Sequence, residues 1–361
     1  MKNTYGQSLT VTLFGESHGD MIGAVLDGIA PGIKIDTDYI DECLMQRRPY
    51  GKISTGRCEK DKYSIVSGVF NGYTTGTPLT LLIPNEDTSS KDYAELADLP
   101  RPSHADYTAD CKYHGYQDFR GGGHFSGRIT AALVAVGAIV RSALMAKGIK
   151  IATHISRLNG ICDDPITEAD IDALNAARFP VISSGAAEKM EKKILEARED
   201  GDSVGGVLES LVCGIPAGVG EPFFDSMESV LAHALFSVPG IKGVEFGGGF
   251  ALADMRGSEA NDAFTVECDK VTTKTNNAGG ICGGITNGMP LIYRCAVKPT
   301  PSIFKEQTSV RLSTMKEEAL RINGRHDPAI IHRVRAVIDA VSAIAVADML
   351  TVRYGTDWLA K

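Results

Sequence analysis

RGGGHFSGRITAALVAVGAIVRSALMAK, Arg120 to Lys147, joins three consecutive glycines to the most apolar run of the chain. Ala, Leu, Val and Ile fill almost every turn from Arg128 to Lys147. That composition predicts a helix apolar all round, central rather than superficial. Glycine beside His and Arg brings backbone close to an anionic ligand, and anchoring such a loop to a buried helix gives it the rigidity of an active site. A second dense stretch, RPSHADYT at Arg101 to Thr108, lies just upstream.

Outward from this pair, Leu9 to Phe14 reads as a strand that delivers GESHG (15–19) to its C-terminal end. Gly23 to Ile29 reads as another. Thr37 opens a helix over Asp38 to Arg48, acidic early and basic late as helix ends favour, which places Arg47 and Arg48 at its exit. Strands follow at Tyr63 to Phe70 and Leu79 to Pro84. Beyond the apolar helix come helices at Thr167 to Ala177 and Ala186 to Glu199, the second highly charged and expected to be exposed. A strand over Val204 to Cys213 precedes a helix over Met227 to Phe236. VPGIKGVEFGGGF (238–250) holds a turn, a short strand and a second triple glycine; Leu291 to Val297 is a strand and Ala336 to Leu350 another apolar helix. The order suggests a loose twofold organisation. No Pro-, Ser- or charge-rich linker divides the chain, so residues 1–361 are expected to form one intertwined domain.

A net charge of −8 argues against a nucleic-acid binder, since phosphate-backbone affinity needs a broad basic surface. The arginines are locally concentrated instead, at Arg47, Arg48, Arg101, Arg120, Arg128, Arg325, Arg333 and Arg335, as suits a compact phosphorylated or carboxylated metabolite. The N-terminus has no cleavable apolar segment, and no stretch is expected to span a membrane. Eight cysteines without a CxxC pair read as reduced thiols of a cytoplasmic protein.

Among the histidines, His18 in GESHG and His104 in RPSHAD have the settings of proton-transferring groups. His124 suits either a ligand contact or a structural hydrogen bond. His326, between Arg325 and Asp327, forms a plausible anion contact with an orienting carboxylate; His114, His154, His233 and His332 read as packing or surface residues. The spacings of zinc and calcium sites, the GxGxxG and GxxxxGK[ST] loops and the GxSxG elbow are all missing. Ser17 beside His18 and Ser103 beside His104 read as ligand hydrogen-bonders, because adjacent residues rarely have the facing geometry of nucleophile and base. TTKTNNAGGICGGITNG (272–288) and VKPTPSI (297–303) offer stacked glycines, hydroxyls and a lysine, a combination that suits a flavin phosphate and ring.

Taken together, GESHG (15–19), QRRP (46–49), SGVFNGYTTGTP (67–78), RPSHADYT (101–108), RGGG (120–123), HALFSVPGIKGVEFG (233–247), NNAGGICGGITNG (276–288), KPTPSI (298–303) and GRHDP (324–328) resemble the chorismate synthase family, in family order over nearly the whole chain. The resemblance implies an α+β fold, a β-α-β sandwich with internal pseudo-twofold organisation, assembled as a homotetramer. It implies a lyase that eliminates phosphate from 5-enolpyruvylshikimate 3-phosphate to give chorismate, removing the C6 proton and expelling phosphate from C3. Reduced FMN is required without net redox change. An external reductase or other source would supply the reduced FMN, and any NADPH would be consumed there.

Residue by residue, the resemblance gives His18 to the reduced flavin, His104 to the substrate phosphate and Asp327 to proton transfer. It gives Arg47, Arg48, Arg128 and Arg333 to the substrate's anionic groups. Ser17, His124, Phe125, Ser126, Pro239, Gly240, Gly283, Lys298, Pro299, Thr300, Pro301, Ser302 and Arg325 fall to the cofactor. The chain departs from the family's usual RSSARET after RGGG: His124, Phe125, Gly127 and Ile129 stand where Arg, Ser, Ala and Glu are usual, which bears on FMN affinity. RVRA at Arg333 to Ala336 replaces RAVP, so the last helix is expected to have a less fixed entry and Arg335 to offer a further anion contact. Two alternatives remain open: a related phosphate-eliminating lyase acting on another shikimate derivative, and a non-catalytic FMN-binding protein.

Overall fold

The computed structural model describes residues 2–56, 60–86, 97–322 and 326–360. Two antiparallel five-stranded sheets enclose a layer of helices. The first sheet orders its strands Thr4–Tyr5, Thr10–Gly15, Met21–Asp27, Leu79–Pro84 and Ser64–Ser67. The second runs Ile241–Phe246, Leu291–Val297, Gly206–Cys213, Lys150–Leu158 and Ile161–Cys162. Alternation sets which side chains face inward: Leu79, Leu81 and Ile83 of the first sheet and Leu291, Tyr293, Cys295 and Val297 of the second are buried. Gly206–Cys213 is buried on both faces near its end, because Ile166, Ile171 and Leu174 cover the outer side of Leu211 and Cys213.

Between the sheets lie the helices Thr37–Arg47, Thr130–Ala146, Met227–Phe236 and Ile331–Tyr354. Thr130–Ala146 packs on both sheets and on Ile331–Tyr354, and almost all of its residues are buried. By length and composition the 20-residue stretch Gly127–Ala146 does match a bilayer span, contrary to the sequence expectation, but 83% of its apolar window is buried against protein. One hydrophobic cluster runs from Leu9 to Leu359 through this layer. The architecture is α+β, a β-α-β sandwich.

Several element boundaries moved for local reasons. The Asp36 carboxylate, not Thr37, caps the first helix by accepting from the Tyr39 amide at 3.1 Å. That helix stops at Arg47, since Arg48 precedes Pro49 and is pushed to extended backbone. Tyr63 to Phe70 is broken by Gly68, whose φ of +81° and close approach to Leu79 exclude a side chain. The charged helix is Ser184–Glu199 and is not wholly exposed, because Ala186, Met190 and Ile194 form a buried stripe.

The last helix starts at Ile331, five residues before its apolar run. Its entry carries His332, Arg333 and Arg335, each engaged by protein groups. Arg335 is 1% exposed and bonds Asp339 and the carbonyls of Leu174 and Ala177, so it sits in the core and not at an anion site.

Candidate active site

The strand Thr10–Gly15 leads into Glu16–Gly19, and the Arg120–Phe125 loop crosses directly over it. Gly121, Gly122 and Gly123 all have positive φ, at 60°, 87° and 52°. A Cβ on Gly121 would lie 2.1 Å from His18 Cε1, and one on Gly122 would lie 3.1 Å from His104 Cε1. The triple glycine thus passes between the two histidines as bare backbone. The Ser17 amide donates to the Gly123 carbonyl at 3.1 Å and locks the crossing.

Hydrogen bonds assign both rings. Ser17 Oγ has one proton, which it gives to the Arg120 carbonyl at 3.1 Å, so at 3.0 Å it accepts from His18 Nδ1–H. Ser17 is therefore not poised as a nucleophile, despite facing its neighbour. His104 Nδ1 lies 2.6 Å from Asp106 Oδ1 and 3.0 Å from Arg101 Nη2. Both contacts touch the same nitrogen. The shorter one decides that Nδ1 carries the proton, since a bare lone pair would repel the carboxylate, and Arg101 Nη2 already donates to Asp106 at 2.8 Å.

Burial alone would raise the Asp106 carboxyl, but the hydrogen bonds and charge of Arg101, with His104, outweigh it and hold the group well below the usual carboxylate range.

A second constellation surrounds Asp61. Arg47 Nη2 approaches its oxygens at 3.3 and 3.4 Å, Arg48 Nε at 3.4 Å, and Arg128 Nη1 is bonded to it. Burial would raise this carboxyl too, and Arg47, Arg128 and Arg48 together lower it instead. Asn85 ties the two constellations together: its Nδ2 donates to the Glu16 and Gly19 carbonyls at 2.9 and 2.8 Å, and its Oδ1 accepts from Arg128 Nε at 3.0 Å. Ser126 accepts from the Arg128 amide at 3.2 Å.

Arg333 donates to the Arg47 carbonyl at 2.8 Å and to Asp327 at 2.5 Å, and Asp327 also accepts from the Thr55 amide at 2.7 Å. Asp327 is thereby committed to Arg333 and does not orient His326, whose Nε2 lies 3.3 Å from the Ile322 carbonyl and whose ring packs edge-on to Phe304. Burial, more than the Arg101 charge, lowers the His326 pKa. Arg325 lies outside the described residues.

His124 takes the structural role of the two open to it, its Nδ1 donating to the Gly15 carbonyl at 2.8 Å. Phe125 packs edge-on to Tyr113. Lys298 bonds the Ser103 carbonyl beside His104, and its amide donates to the carbonyl of Gly240, next to Pro239. Burial and the neighbouring Lys242 lower its pKa. The Thr300 carbonyl accepts from Ser203 and the Pro301 carbonyl from Gln307, Pro299 packs near Gly205, and Ser302 continues the segment. Gly283 stands apart, in the Ile281–Thr286 hairpin whose bonds run to Gly218, Val219 and Met227.

These residues fit a flavin phosphate: the Thr300 hydroxyl is buried and finds no partner among the described residues, close in sequence to Lys298 and Ser302. Asp61, Asn85 and Asp106 escaped the sequence reading. Asp106 carried a signal, two residues after His104 inside RPSHADYT; Asp61 and Asn85 carried none, because only the fold brings them to Arg128.

The sequence model of the family described as Chorismate synthase matches residues 9–351. The Pyrococcus abyssi (strain GE5 / Orsay) protein named Chorismate synthase is 46% identical over 348 residues, covering 96% of this chain and 97% of that one. A protein of the same name from Dehalococcoides mccartyi (strain ATCC BAA-2266 / KCTC 15142 / 195) is 43% identical, covering 97% and 96%. A solved structure titled Crystal Structure of Chorismate Synthase superposes with a TM-score of 0.74 at 27% identity, covering 98% of this chain and 94% of its own. With sheets, glycine crossing and arginine cluster built from the family's motifs in the family's order, this chain belongs to the chorismate synthase family.

Proposed function

We infer that this chain catalyses the 1,4-anti elimination of phosphate from 5-enolpyruvylshikimate 3-phosphate, giving chorismate. The observation that carries the reading is the glycine crossing, which lays backbone between His18 and His104 while Asn85 ties the Glu16–Gly19 turn beneath it to Arg128. In the reaction the C6–H proton leaves, the C3–O bond breaks, and phosphate departs with its electron pair. As an imidazolium, with Nδ1–H on Asp106, His104 donates Nε2–H to the departing phosphate and offsets its charge. Arg47, Arg48, Arg128 and Arg333 orient the anionic groups of the substrate. His18 holds a proton beside the flavin, and Asp327 keeps Arg333 in place.

The same reading assigns Ser17, Phe125, Ser126, Gly240, Lys298 and Thr300 to reduced FMN, which when bound supplies transient electron donation without net oxidation. His124, which stands where the family's arginine is usual, keeps Nδ1 on the Gly15 carbonyl and leaves only Nε2 for the cofactor. The chain works as one domain, takes reduced FMN from an outside source, and assembles as a homotetramer in the cytoplasm.

Anaerobic incubation of the chain with 5-enolpyruvylshikimate 3-phosphate and photoreduced FMN, without a reductase, is expected to release equimolar phosphate and chorismate. No product while flavin and substrate are both demonstrably bound would reject the reaction and favour a non-catalytic flavin protein or another shikimate-derived substrate.

A further inference from the structure

Three guanidinia that this reading gives to the substrate are gathered on a carboxylate of the protein itself. Asp61 is fully buried at its side chain, as are all but 7% of Arg47 and 4% of Arg128, while Arg48 remains 30% exposed. Its backbone is left-handed, with φ 48°, a conformation a short polar side chain tolerates and most others do not. The lowered pKa keeps it ionised at neutral pH.

The contacts are unequal. Arg128 donates to the carboxylate and is also held by Asn85 and the Pro84 carbonyl, whereas Arg47 and Arg48 reach the carboxylate only at 3.3 to 3.4 Å, long for charge-assisted hydrogen bonds. Arg47 and Arg48 are thus the donors a stronger anion can reclaim. A phosphate monoester brings up to twice the charge of a carboxylate and three acceptor oxygens, so it outbids Asp61 where a lone carboxylate does not.

We propose that Asp61 is a specificity-determining residue: an internal anion that competes for Arg47 and Arg48, so that only a dianionic phosphate gains net binding there. The inference rests on the reading of these arginines as the substrate's anion ligands. It makes Asp61 a brake on binding, which also keeps the phosphate product from being retained.

The test is calorimetric titration of inorganic phosphate into the flavin-free chain, compared with the Asp61→Asn variant. Removing one competing charge is expected to tighten phosphate binding about tenfold, the scale of a charge-assisted hydrogen bond. Unchanged or weaker binding by a folded Asp61→Asn variant would overturn the proposal and make Asp61 a scaffold that presents the guanidinia. If Asp61→Asn does not fold, the parent chain is titrated with inorganic phosphate and with acetate, a monoanion: phosphate is expected to bind and acetate not, and equal binding of the two would overturn the proposal. Phosphate binding is read without flavin or 5-enolpyruvylshikimate 3-phosphate. Tightened binding in a chain that releases no phosphate from that substrate therefore supports the brake while rejecting the reaction.

Discussion

At the scale of single residues the site is made of carboxylates that fix cations and imidazoles. Asp106 holds His104 and Arg101 at once, so Asp106→Asn removes the carboxylate charge that favours a proton on Nδ1 and replaces one of its two acceptor oxygens with a donor. General acid–base and electrostatic roles of this kind contribute about 100-fold or more, and kcat should fall by that order while KM changes little. Steady-state kinetics with reduced FMN check the split; a KM effect with kcat retained would remove Asp106 from the positioning of His104. The carboxyl also has a pH signature. Its folded pKa is depressed, so the stability it contributes is fully present above its unfolded value near about 3.9 and is lost as pH falls through the lower folded value. Acid titration should therefore show parent and Asp106→Asn differing most above about pH 4 and converging below it. Gly121→Ala is the matching backbone test: with φ 60° and a Cβ site 2.1 Å from His18 Cε1, even one methyl must displace the imidazole. We expect loss of turnover with the melting temperature only slightly lowered, since the loop lies outside the helical layer.

At the scale of elements, the two central helices cross where Gly137 meets Ala340. A Cβ on Gly137 would sit 2.5 Å from the Ala340 Cβ and 2.8 Å from its Cα. Helix propensity favours alanine over glycine by about 0.5–1 kcal/mol, but forcing a methyl into a packed crossing costs about 1–3 kcal/mol. The overlap wins, and Gly137→Ala should destabilise the chain, read as a lower urea midpoint with an unchanged m-value. The apolar character of this helix and the glycine loop feeding it were legible in sequence, because both are local: composition over successive helical turns and three adjacent glycines. The start of the last helix was not, because His332, Arg333 and Arg335 break the apolar pattern and find much of their bonding far along the chain, at Ser54 for His332, the Arg47 carbonyl for Arg333 and the Leu174 and Ala177 carbonyls for Arg335, beside the nearby Asp327 and Asp339. His18 and His104 stood out through their glycine and proline neighbours, whereas Asp61 is an ordinary lysine-flanked aspartate until Arg47 and Arg128 converge on it.

At the scale of the whole molecule, neither sheet has a core of its own. The inner faces of both are closed by one helical layer, and that layer is contributed by both halves of the sequence: Thr37–Arg47 and Thr130–Ala146 from the first, Met227–Phe236 and Ile331–Tyr354 from the second. Further ties cross between the halves. Asp348 near the C-terminus accepts the amides of Gln7, Ser8 and Leu9, and buried Asp339 pairs with Arg141 and Arg335 while accepting from Thr153. Splitting the chain would leave Thr130–Ala146 exposing the apolar side that packs on Ile331–Tyr354 and on the second sheet and would strand Arg141 without its carboxylate, a loss of about 3–5 kcal/mol from the broken buried pair alone. Against a typical net stability of about 5–15 kcal/mol, neither fragment can recover that from its remaining sheet. Residues 1–148 and 149–361 expressed separately are therefore expected to give no cooperative thermal transition, while the intact chain melts in one step that removes amide protection from both sheets together. A cooperative melt from either fragment would show that the pseudo-twofold halves are separable domains and that the shared helical layer is an interface between them.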